Sequence, residues 1–277
     1  MNSRVSCALA LSVLLAGCAA PVQAPVDPLQ VGELRAGTTY MNGYLPRSAW
    51  PDSLALLPPP PAAGSAAALA DEAASRAAST LVDTPRWRLA TQDAHLRFPE
   101  VMKTFSCAFG LEIDAAVMPN VSMLLRRAAT DAGLATYRAK DHYRRTRPFV
   151  ALKGATCTPA EEPALSRDGS YPSGHSALGW AQALLLAELS PERADALFAR
   201  GHAYGQSRVV CGVHWQSDVD MGRTVAAAAV ARVHADPVFQ AQLRAAQAEV
   251  RAARAAGVRL APPAQRCEAE AAALQIR

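Results

Sequence analysis

Two histidines in the second half of the chain, His175 and His214, have neighbours that could take part in chemistry. His175 ends the sequence Pro172-Ser-Gly-His175, which directly precedes an apolar run and therefore lies at or near a helix N-terminus. The unpaired N–H groups there, the positive end of the helix dipole and the absent side chain of Gly174 favour an anion. Ser173 adds a hydroxyl donor, and His175 titrates near neutral pH. Taken alone, the stretch fits a serine-capped helix with a surface histidine equally well.

Three cations could complete an anion site. Lys140 and Arg147 belong to the segment Lys140-Asp-His-Tyr-Arg-Arg-Thr-Arg147-Pro148, and Arg208 follows Ser207 further along the chain. Two of the three are planar guanidinium groups that match tetrahedral oxyanions. Such a cationic cage suits phosphoryl transfer, because charge in that transition state spreads over three equatorial oxygens. The alternative is a solvated basic helix end, which is the commoner role of such a segment.

A histidine nucleophile and a proton donor would complete this chemistry. His214 can attack phosphorus only through an unprotonated ring nitrogen, and Asp218, four residues later, is spaced to accept the N–H of the other nitrogen. His175 would protonate the leaving alcohol and then, as a base, activate the water that hydrolyses the phosphohistidine. A protonated acid and a carboxylate-held nucleophile in one cationic cage predict a mildly acidic optimum. The alternative for His214 and Asp218 is an exposed helical pair worth roughly a few tenths of a kcal/mol.

The three segments together resemble a known family. Their pattern is K-x6-RP, PSGH and SR-x5-H-x3-D, and every position is matched, by Lys140, Arg147, Pro148, Pro172, Ser173, Gly174, His175, Ser207, Arg208, His214 and Asp218. This pattern is similar to that of the phosphatidic acid phosphatase type 2 and vanadium haloperoxidase superfamily, and within it to the class A bacterial non-specific acid phosphatases. The resemblance covers roughly Tyr44 to Ala235, and its closer similarities are Gly169 to His175, Cys211 to Asp220 and an arm from Leu56 to Pro61.

The resemblance implies a compact helical bundle whose site lies among helix ends. It implies that phosphate contacts Lys140, Arg147, Ser173, the Gly174 backbone, His175 and Arg208, and that the reaction needs no metal and no other cofactor. Departures from the family pattern are small. Ser176 stands where threonine is common, and Met221-Gly222 follows Asp220 where small residues are usual.

Most of the chain must be helical to position these residues. Hydrophobic residues make up 51% of the sequence, which is enough for one sizeable core, and from Ser65 onward the periodicity is helical without sustained strand-like alternation. We therefore expect an all-α domain. The very apolar stretch Val225 to Val233 is too short to span a membrane and is expected to be a buried core helix. The predicted helices are Ser65–Ser79, Pro85–His95, Glu100–Phe109, Asn120–Ala132, Gly133–Tyr143, Ser176–Leu189, Pro191–Cys211, Gln216–Ala235 and Pro237–Ala256.

The N-terminal region is typical of an exported protein. Arg4 precedes a short apolar run that ends in Leu15-Ala16-Gly17-Cys18, which looks like a bacterial lipobox with lipid attached to Cys18. We therefore predict a signal peptide over residues 1–17, a tether over 18–43 and an acid phosphatase domain over 44–277. The expected location is the periplasm, with a lipid anchor in the outer membrane. The alternative is an ordinary secretory signal that releases a soluble periplasmic protein.

Export affects how the cysteines are interpreted. Without Cys7 and Cys18, four remain, namely Cys107, Cys157, Cys211 and Cys267. An even set in an oxidising compartment predicts two disulfides, and three pairings are open. We favour Cys107 with Cys157 and Cys211 with Cys267. No C-x-x-C pair is present in the sequence, which argues against a structural zinc site.

The function expected from these observations is hydrolysis of small phosphate monoesters with broad specificity. A vanadate-dependent haloperoxidase, an envelope lipid phosphate or pyrophosphate phosphatase and a non-catalytic phosphate-binding lipoprotein remain alternatives. A net charge of only +4 gives no reason to expect nucleic acid as a partner. Contact with a membrane is expected only through the lipid anchor, and the resemblance is consistent with a homodimer.

Overall fold

The computed structural model describes residues 22–255 and 261–275. Within these residues, nine helices of at least seven residues account for the architecture. They are α1 (Ala66–Ser79), α2 (Pro85–Asp93), α3 (Pro119–Ala135), α4 (Tyr137–Tyr143), α5 (Gly174–Leu189), α6 (Ala194–Val210), α7 (Gln216–Val233), α8 (Pro237–Ala255) and α9 (Ala264–Leu274). The described part of the chain has no β-strand, only an isolated bridge between Glu33 and Met41. The all-α prediction is confirmed.

Shorter helical turns connect these elements. Single turns of α-helix occupy Pro28–Val31, Ser53–Leu56, Glu100–Lys103, Ser106–Phe109, Pro148–Ala151 and Glu162–Leu165, and 3-10 turns occupy Arg47–Ala49, Pro159–Glu161 and Pro191–Arg193. The predicted helix Glu100–Phe109 is therefore two separate turns. The prediction also ended one helix at Ala132 and began the next at Gly133, whereas α3 continues through Gly133 to Ala135. A single glycine costs a helix only about 1 kcal/mol, so it need not end one. Helix α9 was not predicted.

Helix α5 is the centre of the bundle. It packs against α6, α7 and α3, and its leucines and alanines are buried on almost every side. Two glycines permit these close approaches. A Cβ at Gly179 would lie 2.1 Å from the ring of Tyr204 on α6, and a Cβ at Gly222 on α7 would lie 2.5 Å from the Ser173 carbonyl oxygen. The start of α5 is therefore held against the first turns of α7.

The apolar stretch in α7 is part of this core. Val225, Val230 and Val233 are buried, as the sequence predicted. No helix among the described residues combines the length and the apolar character that crossing a membrane would need.

The N-terminal segment packs on the helical body before α1 begins. Met41 is 1% exposed, and the Thr39 carbonyl accepts a hydrogen bond from Arg126 Nη2 at 2.8 Å. Residues 33–43, placed in the tether by the sequence, thus contact α3. The predicted arm is ordered too, since Tyr171 Oη donates to the Pro58 carbonyl at 2.7 Å. The predicted signal peptide and lipidated Cys18 lie outside the described residues.

Both disulfides form, but the favoured pairing was wrong. Cys107 is bonded to Cys267 and Cys157 to Cys211. The first bond ties α9 to the turn Ser106–Phe109, and the second ties the end of α6 to the segment after Pro148–Ala151. Sequence separation gives no information about which cysteines the tertiary packing brings within bonding distance. In addition, Cys267 lies on α9, a helix that was not predicted.

Candidate active site

One cavity of about 500 Å³ brings the predicted chemical groups together. The elements that reach it are α4, the segment before Pro148, the first turn of α5, the last turn of α6 and the loop before α7. The predicted site residues that line the cavity are Lys140, Arg147, Gly174, His175, Arg208 and His214. Ser173 and Asp218 lie directly behind them and are fully buried. Residues spread over about eighty positions therefore meet at one place.

The start of α5 is built as the sequence predicted. Ser173 is the N-cap, and its Oγ accepts hydrogen bonds from the Ser176 backbone N–H at 3.2 Å and from the Ser176 hydroxyl at 2.9 Å. These bonds hold the Ser173 side chain in the N-cap position, where it satisfies the Ser176 N–H. A Cβ at Gly174 would meet Thr136 Oγ1 at an ordinary 3.6 Å, so packing alone does not require glycine there. The absent side chain instead leaves the backbone N–H open to the cavity.

The ring of His214 is oriented from both sides. Its Nδ1 lies 3.3 Å from Asp218 Oδ2, and its Nε2 lies 3.1 Å from Arg147 Nη1. Because a guanidinium group only donates hydrogen bonds, Nε2 is the acceptor and Nδ1 carries the proton toward Asp218. Nε2 is therefore the unprotonated nitrogen, which is the state that a nucleophile requires.

Arg145 holds the carboxylate that orients His214, and the sequence did not single it out. Its Nη1 donates to Asp218 Oδ1 at 2.7 Å, and its Nη2 donates to Asp71 Oδ2 on α1 at 2.7 Å. Asp71 also accepts hydrogen bonds from the Ser217 backbone and hydroxyl. Arg145 lies inside the basic segment Lys140 to Arg147, so the signal was present, but nothing in that segment separated it from a solvated arginine.

Lys140 and Arg147 are held by backbone carbonyls and one carboxylate. Lys140 Nζ donates to the Gly169 carbonyl at 2.6 Å, and Arg147 donates to the Leu165 and Val213 carbonyls at 2.9 Å each. Asp168 Oδ2 lies 3.1 Å from Arg147 and 3.8 Å from Lys140. Asp168 was not among the predicted site residues, and it partly neutralises the cationic cage of Lys140, Arg147 and Arg208.

Arg208 is the most informative member of the cage. It is 1% exposed, yet its Nε and Nη1 find no hydrogen-bond partner within the described ranges. A buried cation without partners is strongly unfavourable, so an anion is needed to compensate it. Its neighbour Ser207 is structural, because it donates to Asp93 Oδ2 at 2.6 Å and accepts from Arg86 at 2.9 Å. Arg86 and Asp93 therefore position the helical turn that carries Arg208.

Burial among these cations changes the protonation of the site. Burial and the neighbouring Arg147 and Lys140 hold the pKa of His214 well below its usual value. Burial and Arg208 do the same to the pKa of His175. Burial lowers the pKa of Lys140 to about 8 and raises that of Asp218, an effect that Arg145 opposes.

His175 has one ring nitrogen committed to the backbone. Its Nε2 lies 3.2 Å from the Ala94 carbonyl oxygen, which can only accept, so Nε2 carries a proton. Its Nδ1 is then the nitrogen that gains or loses a proton. An anion bound against Arg208 would add negative charge beside this ring and favour the imidazolium, which is the form that a general acid requires.

Comparisons with known proteins agree with the all-α fold. Residues 117–240 match the model of the PAP2 superfamily. The chain is 49% identical over 207 residues to a non-specific acid phosphatase of Providencia stuartii. The aligned residues cover 74% of this chain and 84% of that protein. It is 42% identical over 181 residues to a non-specific acid phosphatase of Salmonella typhimurium, covering 65% and 72%. It is 40% identical over 184 residues to an acid phosphatase of Zymomonas mobilis, covering 66% and 70%.

The helical fold is thus that of the PAP2 superfamily. Within that superfamily, the chain belongs to the class A bacterial acid phosphatases.

Proposed function

We propose that this protein is an acid phosphatase that hydrolyses phosphate monoesters of broad specificity through a phosphohistidine on His214, without a metal. The observation that carries the proposal is the orientation of His214, with Nδ1 toward Asp218 and an unprotonated Nε2 facing the cationic cage. The names of the matched relatives favour a phosphatase over a haloperoxidase or a lipid phosphatase.

The first half of the reaction transfers the phosphoryl group to the protein. The cationic cage and the Gly174 N–H bind the non-bridging oxygens. Arg147 then donates its Nη1 hydrogen bond to a phosphate oxygen in place of His214 Nε2, which frees Nε2 to react. Nε2 then attacks phosphorus, a P–N bond forms and the P–O bond to the leaving group breaks. His175 gives its proton to the departing alcohol oxygen.

The second half releases phosphate. His175, now neutral, takes a proton from a water molecule as its oxygen attacks phosphorus. The P–N bond breaks, and the electron pair returns to Nε2 of His214. Asp218 stabilises the positive charge on the His214 ring while the intermediate exists, in the way that a buried carboxylate supports a catalytic imidazolium.

The test is turnover of p-nitrophenyl phosphate by H214A and by the wild type, each with and without EDTA. We expect H214A to lose all measurable turnover, because His175, the other histidine that lines the cavity, is held by the Ala94 carbonyl and not by a carboxylate that could stabilise a phosphorylated ring. EDTA should leave the wild type unchanged. Retention of a tenth of wild-type activity by H214A would refute the nucleophile, and loss of activity in EDTA would refute metal independence.

Comparing alkaline with acid quenching during turnover detects the intermediate directly. A phosphohistidine is labile in acid and stable in base, so labelled phosphate should remain on the wild-type protein only under alkaline conditions. Label on the protein that survives acid would point to a serine or another oxygen ester instead of His214.

Location and assembly belong to the same proposal. We propose a periplasmic protein anchored through Cys18 to the outer membrane, acting on small phosphate monoesters and not on nucleic acid, and assembled as a homodimer. The mass of the N-terminal peptide of the mature protein tests the lipid, and the solution mass of the delipidated protein tests the dimer.

A further inference from the structure

The cavity extends well beyond the cationic cage. Its volume of about 500 Å³ lies within the range of pockets that bind whole small molecules and greatly exceeds the needs of a phosphate group alone. The wall beyond the cage is largely apolar and includes Leu96, Phe98, Met102 and Leu178. The leaving group of a phosphate monoester would therefore lie against an apolar surface.

The cavity follows helix α5 away from the phosphate position. Gly174 at the start of α5 lies beside Thr136 and the Gly133 carbonyl at the end of α3, and both helices continue to line the cavity from there. Gln182 follows His175 by seven residues, which is about two helical turns, so the two side chains share one face of α5. The Cα of Gln182 is roughly 10 Å further along the helix axis than that of His175.

Gln182 is an unusual residue for this position. It lines the cavity and is 1% exposed, but neither its Nε2 nor its Oε1 has a hydrogen-bond partner in the described part of the chain. A buried amide with both polar atoms unpaired is unfavourable. Gln242 is equally buried outside the cavity, and it is partly satisfied. Its Nε2 donates to Asn120 Oδ1 at 2.5 Å, while its Oε1 has no partner among the described residues, so Gln182 differs from it in having both amide atoms unpaired.

We propose that Gln182 is a specificity-determining residue that selects leaving groups with an amide-like edge. Such a leaving group has a flat, apolar body and carries a hydrogen-bond donor beside an acceptor at its far end, about two turns of α5 away from His175. The Oε1 of Gln182 accepts from that donor, and its Nε2 donates to that acceptor. The proposal rests on the phosphatase activity proposed above and names the substrate class for the same cavity.

Three synthetic substrates of equal shape test this selection. They are phosphates of 4-hydroxybiphenyl with a carboxamide, an acetyl or an isopropyl group at the 4′ position. The carboxamide offers a donor and an acceptor, the acetyl group only an acceptor, and the isopropyl group neither. The substituent is on the distant ring, so the leaving-group acidity is nearly the same in all three. Wild-type kcat/KM should fall in that order, with at least about a tenfold difference between the first and the last.

The Q182M variant should remove this preference. Methionine has nearly the volume of glutamine without its polar atoms, so we expect the three substrates to have the same kcat/KM within about twofold. Turnover of p-nitrophenyl phosphate, a substrate without the distant ring, is the reference by which each kcat/KM value is divided before the substrates are compared. The melting temperature should not fall, since removing an unpaired buried amide removes a desolvation penalty. The matched control Q242M should keep the wild-type substrate order.

The outcomes separate this inference from the proposed function. If the wild type hydrolyses p-nitrophenyl phosphate but shows no preference among the three substrates, the role of Gln182 is wrong and the phosphatase assignment stands. The same conclusion follows if Q182M keeps the wild-type preference, or if the three compounds neither react nor inhibit the wild type. If no phosphate ester is hydrolysed at all, the proposed function itself fails.

Discussion

At the scale of single residues, the site depends on a chain of buried contacts behind the nucleophile. Asp71 and Asp218 both bind Arg145, and Asp218 in turn orients His214. Burial raises the pKa of Asp218, and the charge of Arg145 opposes that change. In the proposed mechanism Arg145 acts on the reaction without entering the cavity, by keeping Asp218 ionised and the His214 tautomer correct, which makes it a positioning residue.

Replacing Arg145 with methionine should weaken catalysis in a pH-dependent way. Without Arg145 the pKa of Asp218 rises further, and the ionised form that orients His214 is present only above that pKa. We expect kcat to fall at least about tenfold, equivalent to about 1.4 kcal/mol of transition-state stabilisation. The acid limb of the kcat/KM profile should move to higher pH, because activity is lost as the pH falls through the pKa of Asp218.

The conservative variant R145K is the control for this experiment. A lysine keeps the positive charge beside Asp218, so it should restore much of the acid limb even if kcat stays low. A uniform loss of activity in R145M, with no displacement of either limb, would mean that Arg145 only supports the local structure.

At the scale of secondary-structure elements, the site is assembled by close contact between the starts of α5 and α7. The Ser173 N–H donates to the Asp218 carbonyl at 2.9 Å, which joins the anion-binding turn to the residue that orients the nucleophile. Gly222 permits this approach, because any side chain there would collide with the Ser173 carbonyl. The sequence identified the motifs on both helices, and the resemblance noted that small residues are usual after Asp220. It did not show that Gly222 lies against the Ser173 carbonyl and so lets the two helix starts approach.

A G222A substitution should separate the two helix starts. The added methyl group must displace the Ser173 backbone, and we expect a loss of about 1–3 kcal/mol in the free energy of unfolding. Inhibition by inorganic phosphate should weaken at the same time, because the Gly174 N–H moves with Ser173. Denaturant unfolding and the phosphate inhibition constant measure the two effects.

Gly154 provides a matched control on the surface. A Cβ there would meet open space, so G154A should be neutral or slightly stabilising and should leave phosphate inhibition unchanged. Wild-type stability together with wild-type phosphate inhibition in G222A would show that the contact between α5 and α7 is less restrictive than the structure indicates.

At the scale of the whole molecule, α9 and the two disulfides close the bundle. Glu270 on α9 lies 3.2 Å from Arg200, which also binds Asp93, so α9 is joined to the elements that position Arg208. The Cys107–Cys267 bond spans 160 residues and fastens α9 to the turn Ser106–Phe109, which does not line the cavity, while Cys157–Cys211 closes 54 residues next to the turn that carries Arg208. The first bond should serve stability alone and the second both stability and the site.

Removing each disulfide in turn tests this division. The variant C107S/C267S should lose about 2–5 kcal/mol of stability, because the unfolded chain regains the freedom of a long closed loop. Its kcat at 25 °C should remain near the wild-type value. The variant C157S/C211S should lose both stability and kcat. Thermal unfolding and p-nitrophenyl phosphate turnover distinguish the two, and equal kcat losses in both variants would contradict the division.

The sequence by itself was enough to predict the all-α class and to single out the candidate site residues. Lys140, Arg147, His175, Arg208, His214 and Asp218 were identifiable because their types and spacing are demanded by transfer of a tetrahedral anion, and the helical periodicity was strong enough to give the all-α class. These signals are local, since each depends on residues within about a dozen positions of one another.

Only the tertiary structure decided which distant residues touch. Three of these contacts join elements far apart in sequence: the disulfide pairing, the bond from Arg145 to Asp218 and the contact of Gly222 with Ser173. The burial of Gln182 without hydrogen-bond partners is likewise visible only once the helices have packed. The physical reason is that packing depends on the volume and direction of side chains after the helices have docked. The volume and direction of side chains in the packed structure cannot be read from the periodicity or the composition of the sequence.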